Sequence, residues 1–180
     1  MTTWVALLRG VNVNGITIRS ADLAALLREL DLTEVRTVLA SGNARFVADT
    51  DVSGRAELKT RIEAALRERF DYDAWIVLVT LDELAAATTA YPFDADDERR
   101  QPYVVFCSDP AVLRDLMDAA GPLDPAEDRA EIGDGVVYWS PEKGRTLDTP
   151  FGRLLARARW RATTTTRNLR TLAKILTTAP

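Results

Sequence analysis

A chain of 180 residues with 47% hydrophobic and 28% charged content has the composition of a folded domain or of two small fused halves, not of a disordered or fibrous protein. At this length roughly 70% of the unfolded-state surface can be buried without a metal or disulfide staple. The chain holds no histidine, which excludes His-based triads, His-containing zinc or iron sites and the usual general base near neutral pH. Its single cysteine, Cys107, cannot form an intrachain bridge, as suits a reducing compartment.

Charge is unevenly spread. Residues 1–141 carry 14 Lys and Arg against 25 Asp and Glu, a net of −11, whereas residues 142–180 carry 9 against 2, a net of +7. Arginine supplies 20 of the 23 cations. That excess fits either phosphate recognition by the guanidinium fork or simply a GC-rich coding sequence. The start Met1-Thr2-Thr3-Trp4 lacks a basic, then apolar, secretory pattern, and no apolar run approaches a membrane span. A cytoplasmic protein without a membrane association is expected.

In chain order, residues 4–9 form a short apolar run ending at Arg9, a buried strand. Residues 10–15, with two glycines and two asparagines, read as a loop. Ser20 is the expected N-cap of a helix with Leu23, Leu26, Leu27 and Leu30 on one face. Residues 35–39 and 44–47 are strands about a Ser41-Gly42-Asn43 turn. A second helix from about Ser53 carries Leu58, Ile62, Leu66 and Phe70 inward, and residues 74–79 are a further strand. Thr80-Leu81-Asp82-Glu83 is a capping box that opens a short helix.

Residues 94–101 are charged and apolar-poor, and so serve as a linker. The pattern then restarts with a strand at 103–107, a helix capped by Asp109-Pro110, strands at 131–132 and 136–139, and a helix opened by Thr149-Pro150. A final helix carries Leu169, Leu172, Ala173 and Leu176, and the last strand of this half is either lost or reduced to residues 162–166. The expected fold class is α+β: two ferredoxin-like (split βαβ) subdomains with antiparallel sheets and a C-terminal helix, spanning 1–80 and 102–180 with a helix and linker at 81–101.

In a split βαβ unit the carboxyl end of the first strand, the turn between the second and third, and the loop before the fourth share one edge of the sheet. That edge is expected to hold Arg9, Asn12, Asn14, Ser41, Gly42, Asn43, Tyr72 and Asp73. The polar set suits a small pocket in which glycines admit a ligand to the backbone and Arg9 meets an anion. It equally suits ordinary turn chemistry, with Arg9 paired to Asp73. A second polar stretch, Thr163 to Asn168, stands before the last helix. It offers amides, hydroxyls and Arg167 to an anion at a helix N-terminus, or else is a cap preceded by a β-prone Thr run. The acidic run Asp94 to Glu98 lacks the glycine and spacing of a calcium loop, so no metal site is expected. Cys107 reads as a small core residue, because no histidine is present to activate it.

Ala6-Leu7-Leu8-Arg9-Gly10-Val11-Asn12-Val13, Leu39-Ala40-Ser41-Gly42-Asn43 and Thr165-Thr166-Arg167-Asn168 resemble, in order, three signature stretches of the bacterial domain of unknown function 1697 family. Tyr91-Pro92-Phe93 and the β-α spacing between them fit too, so the resemblance covers essentially the whole chain. It implies a cytoplasmic bacterial protein of two ferredoxin-like subdomains with no assigned activity, and the cofactor, if one is used, is unknown from the sequence. The family pattern places a tryptophan and an asparagine after the Arg-Asn pair, where this chain has Leu169 and Arg170. The resemblance implies one shared ligand site of Arg9, Asn12, Ser41, Gly42, Asn43, Thr166, Arg167 and Asn168.

Three function classes follow. The first is a binding module for a small anionic or phosphate-bearing ligand. The second is an enzyme using Asp73, Tyr72 or Ser41 for acid–base or nucleophilic work. The third, nucleic-acid binding, rests on fold analogy and the basic C-terminal stretch, against an overall pI of about 5.0.

Overall fold

The computed structural model describes residues 1–10, 17–40, 42–71, 73–160 and 162–179. The chain forms two compact units, Met1–Leu84 together with Ala173–Pro180, and Ala85–Leu172. Each contains a four-stranded antiparallel sheet, so the α+β class and the two ferredoxin-like halves are observed.

In the first unit β1 (Thr2–Arg9), α1 (Ser20–Glu29), β2 (Thr33–Thr37), β3 (Asn43–Ala48), α2 (Arg55–Phe70) and β4 (Trp75–Thr80) follow in sequence, with strand order β2-β3-β1-β4. β1 is antiparallel to both β3 and β4. Its alternation sends Trp4, Ala6 and Leu8 into a core shared with Phe46, Ile76, Leu78 and the apolar faces of α1 and α2, where Leu27, Ile62 and Leu66 are fully buried. Ser20 is the first residue of α1, not its cap. Arg19 holds the N-cap position without a side-chain cap bond, and its guanidinium reaches Asp22 at 2.8 Å.

β4 is an edge strand, and α2 covers it. The Glu63 carboxylate, 8% exposed, accepts the Ile76 amide at 3.0 Å and Lys59 Nζ at 2.6 Å. That bond occupies one outward amide of the edge, which another chain would otherwise be free to pair with. α3 (Leu81–Thr89) then opens with the expected capping box: Glu83 accepts the Thr80 amide at 2.9 Å, and Thr80 Oγ1 accepts the Glu83 amide at 3.1 Å. At the chain's end Arg45 of β3 donates to the Thr178 carbonyl at 2.6 Å.

The second unit repeats the plan with β5 (Tyr103–Cys107), α4 (Pro110–Ala120), β6 (Asp128–Ile132), β7 (Val136–Pro141), α5 (Pro150–Leu155) and β8 (Thr164–Asn168) in the order β6-β7-β5-β8. The fourth strand is therefore kept, and it runs two residues beyond the Thr-rich 162–166. Asp109 caps α4 by accepting two amides, as its Asp-Pro signature predicts. Val105, Leu116, Trp139, Phe151 and Trp160 form the core. α6 (Leu169–Thr177) buries Leu172 and Ile175, whereas Ala173, expected on the inner face, is exposed.

Candidate functional site

The first unit's rim assembles as the topology requires. Leu7 pairs with Asn43, Arg9 pairs with Trp75, and the Leu8 amide donates to the Gly42 carbonyl at 2.8 Å. The end of β1, the β2–β3 turn and the start of β4 thus share one edge. Gly42 sits at φ 71° and Leu39 at φ 59°, so one short turn holds two left-handed residues. A leucine there is strained by roughly 1 kcal/mol or more, and its side chain is 45% exposed.

Arg9, Gly42 and Asn43 are brought together on this rim, with Arg9 partly buried at the end of an apolar strand. Asn12, Asn14, Ser41 and Tyr72 lie outside the described residues. Asn43 is fully buried, and its Nδ2 donates to the Val38 carbonyl at 2.8 Å while its own carbonyl accepts the Val38 amide at 2.9 Å. Its amide stitches the turn to the end of β2. Asp73 is 78% exposed and forms its ion pair with Arg67 of α2 at 3.6 Å.

The second unit carries the same backbone device without the cation. Cys107 donates its amide to Gly135, at φ 69°, as Leu8 does to Gly42. By that correspondence Ser108 stands where the first unit has Arg9.

Thr166, Arg167 and Asn168 belong to β8, so Thr166 and Arg167 do not open a helix; their backbones are paired with β5, Thr166 to Val105 and Arg167 to Val104. A Thr run is β-prone, and β5 needs a partner along that side. Strand alternation puts Thr166 and Arg167 on opposite faces. Arg167 shares its face with Thr165, Val104 and Tyr138, is 8% exposed, and donates through Nη1 to Thr165 Oγ1 at 2.7 Å and to the Thr166 carbonyl at 2.9 Å. Asn168 alone serves the helix, its Oδ1 accepting the Arg170 amide at 2.9 Å as the cap of α6.

Sequence reasoning passed over Asp128, which is 1% exposed. One carboxylate oxygen accepts Trp139 Nε1 and the other accepts the Phe151 amide of α5, both at 2.8 Å. Arg100, likewise unremarked in the sequence, donates to the carbonyls of Pro125, Ala126, Glu127 and Ser140 and folds the segment before β6 around its guanidinium. Both groups hold backbone together.

Burial, aided by the negative charge of Asp109, pushes the Cys107 thiol up to about 12. A thiolate is the reactive form. The folded protein is therefore expected to leave an aromatic disulfide reagent unreacted at pH 8, and to release one equivalent of chromophore once urea unfolds it. Rapid release from native protein would contradict this. Among the described residues no group of three or more His, Cys, Asp or Glu is placed to hold a metal ion, and no helix is long and apolar enough to cross a membrane.

No curated protein matches the chain. Among solved structures it is similar to a conserved bacterial protein from Streptococcus pneumoniae, with a TM-score of 0.80 and 21% identity over 97% of each chain. At that identity the likeness speaks for the fold alone. The family model described as protein of unknown function (DUF1697) matches residues 1–138, more than three quarters of the sequence, and the chain belongs to that family.

Proposed function

We propose that the protein is a binding module for a small anionic ligand, phosphate-bearing compounds included, seated at the rim of the first unit in a cytoplasmic setting. The observation that carries this is Arg9. It places a cation at the meeting point of β1, the β2–β3 turn and β4, whereas the same position of the second unit is Ser108. Gly10 supports it: it holds a left-handed φ of 77°, which a side chain would strain, and among the described residues a Cβ there would meet nothing within 4 Å. Gly42 and Asn43 shape the turn, and Asn12 and Ser41 enter the proposal by sequence alone. Thr166, Arg167 and Asn168 are the second unit's own candidates. The exposure of Asp73 and its pairing with Arg67 count against an acid–base enzyme centred on that carboxylate.

A thermal-shift screen with inorganic phosphate, sulfate, nucleotides and sugar phosphates tests the proposal. A ligand at 100 times its Kd stabilises by about 2.7 kcal/mol, a readily measured shift. Arg9→Gln is expected to abolish the response, and Arg167→Ala measures whether the second unit takes part. Absence of stabilisation by every anion in the screen would end the proposal.

A further inference from the structure

Residues 149–180 hold seven Lys and Arg and no Asp or Glu, in a chain that elsewhere carries 27 acidic residues. Three of these arginines lie together on α5 and the turn that continues it. Hydrogen bonds from Arg153 to Thr149, Ala156 to Gly152, Arg157 to Leu154 and Trp160 to Arg157 keep the backbone coiled through the segment. Phe151, Leu154, Leu155 and Trp160 are turned into the unit's core, which leaves Arg153, Arg157 and Arg159 exposed on the outside. None has a carboxylate within ion-pair distance among the described residues, in contrast with Arg19, Arg99 and Arg145, which pair with Asp22, Asp97 and Glu142.

We propose that this arginine face binds the phosphodiester backbone of nucleic acid without reading its sequence. Arg153 lies in α5 and Arg157 two residues beyond its end, on the coiled stretch that these hydrogen bonds hold. Both can therefore reach the charges of one strand, spaced about 3.4 Å apart along its axis. A guanidinium fork matches two phosphate oxygens at once. Trp160 is 3% exposed and its ring lies 4.3 Å beneath the Arg159 guanidinium, so it presents no free platform for stacking a base. The absence of exposed large apolar side chains within 150–160 argues against a protein partner, whose interface core is depleted of charge, and against a lipid surface, which takes apolar side chains beside the cations. The net charge of −4 opposes a polyanion only weakly, because at 0.1 M salt charges beyond about 10 Å are largely screened.

Fluorescence anisotropy of a labelled single-stranded oligonucleotide, read at 50 mM and at 200 mM salt, tests this. Three neutralised phosphates give a logarithmic salt slope of about −2, so association should weaken roughly 20-fold over that range. The triple variant Arg153→Gln, Arg157→Gln, Arg159→Gln should bind at least about tenfold more weakly at 50 mM salt, with a slope near zero. Arg19→Gln, which removes an exposed arginine already paired to Asp22, should bind as the parent does. Three results would each overturn the proposal: no association at 50 mM salt, undiminished binding by a triple variant whose circular dichroism is native, or binding to phosphatidylserine vesicles but not to the oligonucleotide.

Discussion

Replacing Asp128 by alanine is expected to remove about 2 to 6 kcal/mol from the stability of the second unit, because it orphans two buried donors at about 1 to 3 kcal/mol each. The donors are Trp139 Nε1 and the Phe151 amide, each 2.8 Å from one carboxylate oxygen. A buried charge is costly unless it is hydrogen-bonded. Here two donors and the positive end of α5 offset that cost. Domain stabilities run from about 5 to 15 kcal/mol, so a loss at the upper end would leave much of the unit unfolded at room temperature. Asp128→Asn keeps one acceptor and turns an amide NH₂ toward the other donor, so it should lose about half as much. Urea unfolding followed by tryptophan fluorescence, with Trp139 itself a reporter, measures both variants. A midpoint for Asp128→Ala equal to the parent's would show that these bonds contribute nothing net.

Asp128 also shows where sequence reading stops. The Thr80–Glu83 capping box is legible because its two bonds span three residues, and the Asp109 cap of α4 is legible for the same reason. Sheet order and the shared rim are legible because the split βαβ connection leaves few alternatives. Asp128 finds its partners 11 and 23 residues away, across a strand pair and at the start of a helix, and no local pattern announces such a meeting. The rim itself was only half legible. That Arg9, Gly42 and Asn43 share an edge follows from topology, but Asn43, expected among the ligand-site residues, is fully buried and spends Nδ2 on Val38. The Thr run reads two ways in the sequence, as the opening of the last helix or as a strand reduced to residues 162–166. β5 claimed it as a strand partner up to Asn168, which left one residue to cap the helix.

Gly152→Ala should destabilise the protein, against the usual sense of that exchange. In a helix a glycine ordinarily costs about 0.5 to 1 kcal/mol relative to alanine, so the replacement normally helps. At this position in the first turn of α5 an added Cβ would lie 1.8 Å from the Thr146 carbonyl oxygen and 3.1 Å from Thr149 Oγ1. The obstacle is backbone, so it cannot rotate away as a side-chain tip would. The Thr146 segment is itself pinned, with the amides of Asp148 and Thr149 both donating to the Arg145 carbonyl. To make room, the chain before α5 must lift, stretching the cap bond from the Gly152 amide to Thr149. Overpacking of this kind costs about 1 to 3 kcal/mol, which exceeds the propensity gain. Arg153→Ala, one residue on and exposed, is the matched control and should stay within about 0.5 kcal/mol of the parent. A Gly152→Ala midpoint above the parent's in urea would mean that the segment before α5 yields freely, and that helix propensity decides the sign.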